Sequence, residues 1–124
     1  MDTQGRNILI VEDEMITAID LRNQLRRLGY AVSGLAKSGD QAVRLSEKLH
    51  PDLVLMDVNL SGAMNGIEAS QRMQGTKRIP VVYITSNPNV FIRTPTDMQR
   101  PYLCLAKPIS VPILQAVLEV AFAS

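Results

Sequence analysis

The chain has 124 residues, the length of one domain. At that size it buries roughly two-thirds of its unfolded surface without metal or disulfide staples. Hydrophobic residues at 46% and charged residues at 20% exclude a disordered chain, and a net charge of +1 leaves no basic surplus for nucleic acid or an anionic membrane. One cysteine excludes an internal disulfide, and no apolar run is long enough to cross a bilayer. The first six residues are a polar tail without the apolar core of a signal peptide, so a cytoplasmic domain over residues 7–123 is expected.

Asn7–Val11 is a short apolar run of the kind that forms a strand buried on both faces. Glu12, Asp13 and Glu14 follow it directly. Met15, Ile16, Ile19, Leu21, Leu25 and Leu28 then recur at helical spacing, with Arg22, Arg26 and Arg27 between them as a solvated face and Gly29 as a stop. Tyr30–Ala36 reads as a weaker, outer strand because it contains Ser33 and Gly34. Ser38 caps a helix that ends at His50-Pro51.

The pattern then repeats. Leu53–Met56 is a buried strand terminated by Asp57, and a loop with Gly62 and Gly66 leads to a short helix carrying Ile67, Ala69 and Met73. Pro80–Ile84 is another buried strand, ending at Thr85 and Ser86. Tyr102–Leu105 is the last strand, followed by Lys107-Pro108 and a helix capped by Ser110. Such alternation predicts an α/β fold, a doubly wound five-stranded parallel sheet with helices on both faces. Ligands of these sheets sit beyond the carboxyl ends of the strands. Glu12, Asp13, Asp57, Thr85 and Lys107 all stand at those ends. Any one of them could be an ordinary cap or loop residue; one topology brings them all to the same rim.

The runs Ile8–Glu14, Pro51–Asp57, Pro80–Ser86 and Lys107-Pro108 resemble the receiver domain of two-component response regulators. The spacings match as well, with 44 residues from Asp13 to Asp57 and 22 from Thr85 to Lys107. The resemblance implies a strand order of 2-1-3-4-5 and phosphoryl transfer from a sensor histidine kinase or phosphotransfer protein onto Asp57. It also implies Mg²⁺ (or Mn²⁺) on Asp13, Asp57, the backbone carbonyl of Asn59 and, through water, Glu12. Lys107 and Thr85 would meet the phosphoryl oxygens. The chemistry asks for these types, because a carboxylate attacking an anionic phosphoryl group needs cations to spread the charge. No output domain is expected within the chain, and no direct contact with nucleic acid or membrane. A homodimer through the face of the fourth helix, fifth strand and fifth helix is a further option the resemblance allows.

Three features depart from the common pattern. Ser61 stands where most receivers have proline, in a loop one residue longer. Cys104 replaces the aromatic residue of the switch, leaving Tyr102 as the nearest substitute to couple with Thr85. Pro95 interrupts the stretch where a fourth helix is expected, so that helix should be short or irregular. Two alternatives remain: a haloacid-dehalogenase-like phosphatase, which needs an aspartate where Asn59 stands, and a pseudo-receiver that only binds proteins.

Overall fold

The computed structural model describes residues 6–74, 78–86 and 103–123. Five strands, β1 (Asn7–Val11), β2 (Ala31–Ala36), β3 (Leu53–Asp57), β4 (Val81–Thr85) and β5 (Leu103–Ala106), form one sheet in the order β2-β1-β3-β4-β5. All four pairings are parallel, as the continuous apolar runs require. The helices are α1 (Met15–Arg27), α2 (Gly39–Leu49), α3 (Gly66–Met73) and α4 (Val111–Ala123). The expected irregular fourth helix and the switch candidate Tyr102 lie outside the described residues.

Strand side chains alternate between two cores. Ile8, Ile10, Leu53, Leu55, Val82, Ile84 and Leu105 pack with Leu21 and Leu25 of α1 and with Leu114 and Leu118 of α4. Leu9, Val11, Val54, Met56 and Tyr83 pack on the other face with Ala42 of α2 and with Ala69 and Met73 of α3. Each fully buried Leu or Ile contributes about 1.5–3 kcal/mol, so the sheet is clamped from both sides. Tyr83 brings a hydroxyl into the second core and satisfies it on Ser70 Oγ of α3 at 2.5 Å.

The helix ends follow local chemistry. Ser38 Oγ accepts from the Gln41 amide at 3.1 Å, and Asn65 forms a reciprocal capping box with Glu68. Gly29 supplies the positive φ, 96°, that lets the chain leave α1 and enter β2. Arg26 and Arg27 are exposed as expected, but Arg22 is half-buried, and its Nε has no partner among the described residues. β2 is one of the two outer strands, β5 being the other. Its register slips by one residue, since Ile8 faces Val32 while Leu9 faces Gly34, leaving Ser33 as an extra residue.

Candidate functional site

The order β2-β1-β3-β4-β5 places β1 and β3 side by side, and their carboxyl ends bring Glu12, Asp13 and Asp57 together. Each offers a carboxylate oxygen within 4.8 Å of the others. Hydrogen bonds continue past the formal strand ends: Glu12 N–H donates to the Ala36 carbonyl (2.9 Å), Val58 N–H to Ile84 (2.9 Å) and Lys107 N–H to Thr85 (3.0 Å). The backbone at the rim is therefore tied to the sheet beneath it. Glu12 and Asp57 are nearly fully buried, at 2% and 3% exposure, whereas Asp13 is exposed.

Lys107 reaches in from the turn after β5, where the Lys107–Pro108 peptide is cis. Its ammonium lies 3.2 and 3.4 Å from the two Glu12 oxygens and 3.4 Å from Asp57 Oδ2. The other Asp57 oxygen, Oδ1, accepts the Asn59 N–H at 3.0 Å. Thr85 stands at the end of β4 as expected, but it is wholly buried and joins Lys107 through its backbone carbonyl. The structure thus brings Glu12, Asp13, Asp57, Asn59 and Lys107 into direct proximity, with Thr85 on the adjoining strand end.

Glu12 is buried against a second carboxylate, and both conditions disfavour its charged form. Burial pushes the Glu12 carboxyl up to about 8, and hydrogen bonding to Asp57 and the Asp57 charge push the same way against Lys107. Burial pulls the Lys107 ammonium down, but the charges of Asp57 and Glu12 outweigh it and hold it above its ordinary value. Metal-free protein should accordingly lose stability as pH rises from 4.5, where Glu12 ionises in the unfolded chain, to about 8, where it ionises in the fold. In that window the folded state binds the extra proton, so raising pH favours unfolding, while Lys107 remains charged throughout. Urea unfolding in chelator at three pH values across the window checks this, and excess Mg²⁺ should flatten the slope.

All the converging donors are hard carboxylate oxygens, and they carry more negative charge than Lys107 offsets; that set fits Mg²⁺. Cys104, in β5 beside Tyr83, is half-buried against the second core. Burial pushes its thiol up, which disfavours the reactive thiolate. Sequence reasoning missed two contacts: Lys107 with Glu12 as well as Asp57, and the Ser61 amide on Asp13 Oδ2 at 3.2 Å. The first could have been read from the strand-end positions; the second is a backbone contact with no residue-type signal.

The response regulator receiver domain family model matches residues 8–119. The phyllosphere-induced regulator PhyR of Methylorubrum extorquens is 34% identical over 115 residues, which is 92% of this chain and 42% of PhyR. The chain thus spans less than half that relative's length. The PhyR receiver domain of Erythrobacter litoralis, solved by NMR, has a TM-score of 0.84 at 29% identity, covering 97% of this chain and 92% of that one. The receiver domain of a sensor histidine kinase from Pseudomonas aeruginosa PAO1, solved with a magnesium ion coordinated in its active-site cleft, has a TM-score of 0.79 at 31% identity, covering 97% and 99%. This chain belongs to the response regulator receiver domain family. It is a signalling domain of two-component systems and not an enzyme, which sets aside the phosphatase alternative. Among the described residues no helix is long and apolar enough to cross a membrane.

Proposed function

We propose that Asp57 accepts a phosphoryl group from a histidine kinase or phosphotransfer protein, with Mg²⁺ bound, and that the phosphorylated domain presents an altered surface to a partner. The observation that carries this reading is the Lys107 ammonium, which spans Asp57 and Glu12 with an oxygen of Asp13 within 4.8 Å of theirs. One Asp57 oxygen bonds to phosphorus as the bond from phosphorus to the donor's imidazole nitrogen breaks, and the electron pair leaves with the nitrogen. Lys107 then exchanges a carboxylate contact for a phosphoryl oxygen, and Thr85 offers a hydroxyl to another. Asp13 and Asp57 would hold the metal directly, with the Asn59 carbonyl beside them and Glu12 acting through water. The cation supplies the positive charge that offsets the meeting of two anions.

Intact-mass analysis after incubation with a small phosphodonor and Mg²⁺ tests the reading. The native chain should gain one phosphoryl group, with near-complete loss of labelling in excess chelator and in Asp57→Asn. Unchanged labelling of Asp57→Asn, or none in the native chain, overturns it; the latter result would leave a pseudo-receiver that only binds proteins.

A further inference from the structure

Of the three acids at the rim, Asp13 alone is exposed, so burial does not fix its side chain as it fixes Glu12 and Asp57. Its carboxylate is nevertheless held, because Oδ2 accepts the Ser61 amide at 3.2 Å across 48 residues of sequence. The loop presenting that amide is anchored on both sides. Before Ser61, the Asn59 amide sits on Asp57 Oδ1 at 3.0 Å. After it, Met64 is buried against the start of α2; a Cβ added to Gly39 would lie 3.0 Å from the Met64 Cβ and 3.1 Å from its carbonyl oxygen. The Gly66 amide then closes the loop on the Val58 carbonyl at 3.1 Å. Between the anchors Gly62, with φ of +105° and open space around it, makes the turn.

We propose that the backbone amide of Ser61 is a positioning group for Asp13, turning a mobile surface carboxylate into a fixed cation ligand. The inference rests on the metal-binding reading above. The amide holds the carboxylate in one orientation, with an oxygen of the group within 4.8 Å of those of Glu12 and Asp57, so the side chain is oriented before the ion arrives. The Ser61 hydroxyl has no part in this.

Three versions of the chain separate the amide from the side chain: native, Ser61→Ala, which keeps the N–H, and Ser61→Pro, which removes it. Titrating Mg²⁺ by calorimetry, with circular dichroism to confirm folding, should show Ser61→Pro weaker by roughly 2- to 10-fold, the cost of immobilising one flexible side chain on binding. Ser61→Ala should stay close to native. Equal affinities of the proline and alanine variants overturn the proposal. A metal-free measurement stands beside it in case Ser61→Pro fails to fold: amide hydrogen exchange at Ser61 should be slower in the native chain than in Asp13→Ala. Equal exchange in those two overturns the proposal as well. A native chain that binds no Mg²⁺ instead overturns the metal reading, and the use assigned to the amide with it.

Discussion

Gly66→Ala is expected to cost about 3 kcal/mol of stability or more and to dismantle the Asp57 end of the site. An added Cβ would lie 2.0 Å from the Asp57 carbonyl oxygen, 2.9 Å from its carbon and 3.0 Å from Met56 Cγ. Two of these neighbours are main-chain atoms of the central strand, which cannot rotate aside. Helix α3 would have to retreat, breaking the Gly66–Val58 hydrogen bond and the Asn65 cap behind it. Against a total stability of about 5–15 kcal/mol that is a large fraction. Gly62→Ala is the comparison: nothing lies within 4 Å, so only its φ of +105° resists, and it should cost less. Urea midpoints of both variants decide the matter, and a near-native midpoint for Gly66→Ala would show that α3 is free to slide off the strand.

Lys107→Ala should slow phosphoryl labelling of Asp57 roughly a hundredfold while leaving Mg²⁺ affinity unchanged or improved. The two effects part because the ammonium faces the same oxygens a cation would seek. It lies within 3.4 Å of both Glu12 and Asp57, so in the metal-free protein it partly neutralises them and repels an incoming ion. In the proposed transfer the same ammonium would become the donor that offsets the phosphoryl charge. Calorimetric titration of Mg²⁺ without phosphodonor, beside labelling rates by intact mass, measures both. A large loss of Mg²⁺ affinity in Lys107→Ala would show that the lysine organises the carboxylates for the metal and would remove the division of labour.

The parts legible in the sequence were those that depend on residue type at an element's end. Asn7–Val11, Leu53–Met56 and Pro80–Ile84 announce themselves as continuous apolar runs, because a strand covered on both faces has no polar side to show. Ser33 and Gly34 marked β2 as an outer strand for the converse reason. Glu12, Asp13, Asp57 and Lys107 could be placed at one rim because parallel strands align their carboxyl ends. Contacts made by the main chain stayed hidden. The Ser61 amide on Asp13 and the fit of Gly66 against the Asp57 carbonyl depend on the path of a loop, which apolar periodicity does not encode. Nor does a glutamate's name reveal that burial raises its carboxyl to about 8; that needs the surroundings of all its atoms.

The extra residue in β2 bears on a question beyond phosphoryl transfer. A flat outer strand offers unpaired amides and carbonyls as a template on which a second sheet can grow. Here Ser33 breaks the even spacing of that template, and the missing side chain of Gly34 lets Leu49 of α2 settle close over the strand. Bulges of this kind bend a strand and raise its local twist, so a foreign strand should find no long run of matching donors and acceptors there. The β2 border should accordingly resist edge-to-edge aggregation, and crowding many copies together should not zip them into fibres from that side.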